Sequence, residues 1–168
     1  MLTLSTPVAF SATLGDQWDS MKTSLSSAEK MMTFHFDLIA YQDEKVDLKL
    51  KDQIKTTQND ALKSLQTAKT IYSDNFKDAA LEVDAQSDML ITNAFSDTEN
   101  MLVSGDVNQA SLNRQIIDKT IYKIAFMKME SAITQNNSTD FLSWFTVMEK
   151  KFKISTTYQE IDLLVVGI

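Results

Sequence analysis

Residues 16–104 read DQWDSMKTSLSSAEKMMTFHFDLIAYQDEKVDLKLKDQIKTTQNDALKSLQTAKTIYSDNFKDAALEVDAQSDMLITNAFSDTENMLVS, a stretch bounded by Gly15 and Gly105 that contains neither glycine nor proline. The only proline of the chain is Pro7. Short strands need frequent turns, and turns draw on glycine and proline for backbone angles that other residues avoid. A long unpunctuated run rich in Ala, Leu, Lys, Gln, Asp and Met favours helices instead. The stretch predicts long helices joined by tight polar connections.

Apolar spacing divides it. A first helix runs from about Asp16, read as its N-cap, to about Glu44. Its positions Trp18, Met21, Leu25, Ala28, Met32, His35 and Ile39 are spaced alternately three and four, the seam of a helix packed in a bundle. A second covers Val46 to Ser73, with Leu50, Ile54, Ala61, Leu65, Ala68 and Tyr72 on one stripe. A third reaches from about Asp78 to Val103, closed by Ser104-Gly105-Asp106. The fourth, Val107 to about Thr134, is apolar on more than one face and is the candidate central helix. A fifth begins at Ser138 or Thr139, carries Phe141, Leu142, Trp144, Phe145, Met148 and Phe152, and ends in the basic Lys150-Lys151-Phe152-Lys153 that suits a helix C-terminus. A short last helix starts near Thr156. Short connections make successive helices antiparallel. The fold class is all-α, an up-and-down bundle of four to five long helices plus a short C-terminal one.

The 168 residues suit one domain, assigned to 15–168, preceded by a tail over 1–14. Leu2 to Ala12 resembles the end of a secretory h-region with its small-residue cleavage site, but lacks the charged n-region. A remnant of a signal peptide and an ordinary N-terminal tail both fit. Asn136-Asn137-Ser138-Thr139 contains two overlapping N-glycosylation patterns where a loop is predicted, which favours an exported or cell-surface protein over a cytoplasmic one. The apolar end Ile161 to Ile168 is too short to span a bilayer, and reads as a docked terminal helix or as the first turns of a membrane helix in a longer protein.

With 16 basic and 23 acidic residues the formal charge is −7, which argues against a nucleic-acid partner. Between Ser73 and Asp106 eight acids are opposed only by Lys77, so this segment alone carries a charge equal to that of the chain. On one continuous helix, Asp74, Asp78, Glu82, Asp84, Asp88 and Glu99 fall within an arc of under half the circumference. Like charges four residues apart repel, and a hard cation relieves them because carboxylate oxygens suit Ca²⁺, Mg²⁺, Mn²⁺ or Fe³⁺. Asp78, Glu82, Asp84 and Asp88 are the candidate metal nucleus. A solvated face that keeps the protein soluble explains the same pattern.

Other residues narrow the chemistry. The absence of cysteine removes zinc fingers, iron–sulfur clusters, disulfides and thiol nucleophiles. His35 is the only histidine, on an apolar seam, and reads as a hydrogen-bonded core or subsite residue. Di-iron carboxylate bundles need two Glu-x-x-His copies, and the chain has neither. No phosphate loop, His-Glu-x-x-His or Gly-x-Ser-x-Gly occurs, so no enzyme is predicted. Methionines on apolar stripes read as core filling. Lys69-Thr70-Ile71-Tyr72 followed by Phe76 repeats as Lys119-Thr120-Ile121-Tyr122 followed by Phe126, which predicts that Tyr72 and Tyr122 present the same aromatic ridge to the core.

The order in which Ala68, Tyr72 and Phe76 precede an acidic helix, then Gly105-Asp106, then a second aromatic helix ending in Trp144-Phe145 and Lys150-Lys151-Phe152, resembles the extracytoplasmic helical region of high-affinity iron permease-like proteins. The resemblance spans roughly Leu25 to Phe152. It lacks the permease's intramembrane Arg-Glu-x-x-Glu motif, since the single arginine, Arg114, is followed by Gln115. What it implies is a metal-handling accessory domain, with iron as the cation and a membrane transport component or another protein as partner. The sequence reading is a non-catalytic binding module that captures a cation on an acidic helix. Its alternative is a structural or protein-interaction bundle without a small ligand.

Overall fold

The computed structural model describes residues 12–42, 48–104 and 108–155, and these contain six helices. Helix α1 (Leu14–Gln42) is followed by α2 (Leu48–Asn75), the short α3 (Lys77–Val83), α4 (Ala85–Ser104), α5 (Asn108–Thr134) and α6 (Ser138–Ser155). The all-α bundle is as predicted. Helix α1 packs on α2 and on α6, α5 packs on α4 and α6, and α3 bridges α2, α4 and α5. Residues 1–11 of the expected tail, the Gly105-Asp106 stop, the last helix from Thr156 and the apolar end at Ile168 lie outside the described residues, while Thr13 and Leu14 of that tail already belong to the start of α1.

The seam of α1 is buried from Trp18 through Met21, Leu25, Ala28 and Met32 to His35, in the alternating spacing of the sequence. Its start differs by one turn's chemistry. Thr13 Oγ1 accepts from Asp16 N at 3.1 Å, and Asp16 Oδ2 accepts from Thr13 N at 3.1 Å. Thr13 is therefore the cap and Asp16 the third helical residue, a reciprocal capping box. Helix α6 closes over this end: Gly15 N donates to Thr146 Oγ1 at 2.8 Å, and Lys150 Nζ lies 2.9 Å from Asp19 Oδ2.

The core has two parts. The larger gathers Trp18, Met21, Tyr72, Phe76, Ile91, Phe95, Ile121, Trp144 and their neighbours. The smaller comprises Met32, Ala61, Met101, Leu102 and Ala110. Phe76 ends α2 fully buried, with its ring edge-on to Trp144 at 6.0 Å. Between α5 and α6, Asn137 N donates to Ala132 O and Asn136 N to Ile133 O, with Asn136 left-handed at φ 54°. This is the Schellman closure, at which asparagine tolerates the positive φ. Asn137 Oδ1 then caps α6 by accepting from Asp140 N at 3.0 Å.

The continuous acidic helix is corrected. Phe76 separates α2 from α3, and Asp84, extended at φ −164° and ψ 97°, separates α3 from α4. A single arc of carboxylates does not form, because Asp74, Asp78 and Glu82, and Asp88 belong to three different helices. The aromatic repeat is corrected as well. Tyr72 and Phe76 are buried, whereas Tyr122 is half-buried and Phe126 is 53% exposed. Helix α5 turns the second copy partly outward, so identical residues meet different surroundings.

Candidate functional site

The four carboxylates of the sequence reading sit along the α3–α4 corner in unlike roles. Asp84 Oδ1 accepts from Gln86 N at 3.1 Å, which makes it the cap of α4. Its Oδ2 accepts from Ser87 Oγ at 3.0 Å and from Lys123 Nζ at 2.8 Å. The Lys123 bond, then Ser87, holds its pKa below the ordinary carboxylate value. Asp88 Oδ1 accepts from Tyr72 Oη at 2.7 Å and from Lys77 Nζ at 3.0 Å. Glu82 Oε2 accepts from the buried Lys128 at 2.9 Å while the rest of its side chain faces water. Asp78, one turn earlier, is exposed.

Three of the four are thus committed to lysines on α3 and α5. Among the described residues no group of three or more His, Cys, Asp or Glu side chains is placed to hold a metal ion. Asp78 and Glu82 stand at i and i+4 on α3, both exposed, with one Glu82 oxygen held by Lys128.

His35 is buried against α2, where its Nδ1 lies 2.9 Å from Ile54 O and 3.2 Å from Thr57 Oγ1. A carbonyl only accepts, so Nδ1 carries the proton and pins α1 to α2. Burial, and then the bond to Asp88, raises the Tyr72 pKa. Tyr122 Oη accepts from Trp18 Nε1 at 3.1 Å, the rings meeting edge-on at 5.6 Å, and burial raises its pKa too. These three residues hold helices together and share no cleft.

The sequence reading missed a charged trio between α1 and α5. Arg114 Nη1 lies 3.0 Å from Glu29 Oε2, and Asp118 stands one turn beyond Arg114. Arg114 Nε and Asp118 Oδ1 are enclosed without a hydrogen-bond partner among the described residues. Burial raises the Asp118 pKa against the pull of Arg114. A polar groove beside the trio is lined by Asp19, Lys22, Thr23, Ser26, Ser27 and Lys30 of α1. Its one sequence signal was the singular arginine.

Residues 12–161 match the family described as the iron permease FTR1 N-terminal domain, and the chain belongs to that family. This bears out the resemblance and extends it at both ends. No curated protein matches the chain, and neither does any solved structure. The family points to a role related to iron permeation. No helix of the described residues is long and apolar enough to cross a membrane.

Proposed function

We propose that this chain is a non-catalytic helical domain, spanning 15–168 after a short tail, that captures iron on the extracytoplasmic side and serves a membrane transport component. Membership of the iron permease FTR1 N-terminal domain family supports the iron and the transport context. The observation that carries the capture is the exposed Asp78 one turn from Glu82, which Lys128 holds by a single oxygen, within the segment whose formal charge equals that of the whole chain. Such a segment concentrates cations near it by its field.

Two carboxylates leave most of a cation's coordination shell to water, so the contact is weak and exchanges readily. That suits delivery rather than storage. Asp84 and Asp88 contribute to the field while their oxygens stay on Lys123 and Lys77. The iron is cargo, and no resident cofactor is needed.

The test is uptake of radiolabelled iron by cells whose own copy of the gene encodes Asp78→Asn with Glu82→Gln. Reduced uptake at low iron, with unchanged protein level, is the expected result. Unchanged uptake at limiting iron contradicts the proposal.

A second reading, a bundle that acts by protein contact, is favoured by one observation. Leu112, Ile116, Phe126 and Ile133 of α5 are large, apolar and exposed.

A further inference from the structure

The outer face of α5 carries a regular stripe. Leu112, Ile116, Lys119, Lys123, Phe126, Glu130 and Ile133 succeed one another at spacings alternating four and three, and all seven are exposed. The apolar members are 50%, 37%, 53% and 66% exposed for Leu112, Ile116, Phe126 and Ile133. Alternating spacing of this kind keeps residues on one seam along a helix, the pattern of a helix that packs against another. The buried face of α5, with Ile117, Ile121, Ile124 and Ala125, points the other way into the bundle. The fold thus leaves a second, unpartnered seam on the same helix.

We propose that this seam is an interface between two copies of the chain, with their α5 helices packed antiparallel about a two-fold axis between Ile124 and Ala125. The order of the residues selects this occupant. In an antiparallel pair, a-type positions of one helix face d-type positions of the other. About that axis Ile116 faces Ile133 of the second copy, Lys119 faces Glu130, and Lys123 faces Phe126. Two-fold symmetry makes each pairing twice.

The outcome is two apolar end layers, two opposite-charge layers and two central layers in which the aliphatic stem of Lys123, whose ammonium stays on Asp84, packs on an aromatic ring. No like charges share a layer. Lys119 and Glu130 have no ion-pair partner among the described residues, so each is free for the other copy. Beside Phe126 a shallow groove between α5 and α6, lined by Tyr122 and Met148, accommodates side chains of the second helix. From Ile116 to Ile133 the seam is about 26 Å long at ~1.5 Å per residue. An interface this narrow gives a weak, reversible dimer.

The experiment is sedimentation equilibrium over a wide concentration range at about 0.15 M salt, where long-range repulsion between the two acidic copies is screened. The wild-type chain is expected to dimerise with a micromolar dissociation constant. Lys119→Glu and Glu130→Lys are each expected to weaken it about tenfold or more, since each sets two like-charge contacts against the partner. The double variant Lys119→Glu/Glu130→Lys is expected to restore it. Ile133→Ser, at an exposed position that leaves the core untouched, is expected to weaken it independently. A chain that stays monomeric overturns the proposal, even if some other protein covers the stripe. A dimer indifferent to the two reversals, or one that the swap fails to restore, overturns it equally.

Discussion

Lys123 Nζ on α5 lies 2.8 Å from Asp84 Oδ2, on the single extended residue between α3 and α4. One carboxylate therefore caps α4, breaks what the sequence reads as one acidic helix, and ties the corner to α5. Charge spacing on a helical wheel carries no sign of this, because the wheel assumes the continuity that Asp84 removes.

Replacing Asp84 by Ala removes the cap and the lysine tie together. A fall in Tm of about 2–4 °C is expected, the effect of a lost helix cap in a domain of this size. Because the Asp84 pKa is lowered in the fold, its contribution is present above the ordinary carboxylate value, about 3.9, and is lost as the pH falls through the lower folded value. Thermal melts from pH 7 down to pH 3 check it: the gap between wild type and Asp84→Asn closes only at the acidic end.

Asp118 has the opposite sign. Its pKa is raised by burial, so the protonated form is the one the fold prefers, and the stabilisation present at low pH is lost as the pH rises through the folded value. Asp118→Asn is expected to raise Tm at pH 7 and to leave it unchanged near pH 3. A destabilised variant at pH 7 would show that the attraction of Arg114 outweighs burial.

The two tyrosines of the sequence repeat are expected to respond unequally. Tyr122→Phe leaves the buried Trp18 N–H without a partner, at a cost of about 1–3 kcal/mol. Tyr72→Phe removes one bond from Asp88, which keeps Lys77, and costs about 0.5–1.5 kcal/mol. Urea unfolding with unchanged m-values compares them directly.

Gly15 lies at a close approach of α1 to α6. A Cβ there would stand 2.4 Å from Thr146 O, a backbone atom that cannot swing aside. Gly15→Ala is expected to cost about 1–3 kcal/mol by overpacking, read as a lower urea midpoint. An unchanged midpoint would mean that α6 shifts freely along α1.

The helices were legible because burial imposes a period on the chain: the seam Trp18, Met21, Leu25, Ala28, Met32 and His35 reads the same in sequence and structure. The reading of His35 as a core residue rested on that same seam. The break between α2 and α3 was legible to within a few residues, whereas the one at Asp84 was not, since an aspartate between Val83 and Ala85 carries neither proline nor glycine chemistry. The carboxylates were legible as a charge excess but not as ion pairs, because Lys123 and Lys128 reach them from a helix distant in sequence. Glu29 escaped for the same reason, since it meets Arg114 only across the α1–α5 gap, while Arg114 and Asp118 stand at i and i+4 on α5 and their enclosure is set by α1.

The proposed capture of iron at the α3 corner rests on Asp78 and Glu82. The most direct measurement is a calorimetric titration of metal-stripped protein with Fe²⁺ and with weakly chelated Fe³⁺ at moderate salt, beside the Asp78→Asn/Glu82→Gln variant, whose exposed positions leave the cap and ion pairs of Asp84 and Asp88 in place. Saturable binding of one iron per chain is expected, lost in the variant, whose Tm falls somewhat because Glu82→Gln also loosens the 2.9 Å tie to the buried Lys128. Binding that survives in the variant, or no heat beyond ionic screening in the wild type, would contradict it.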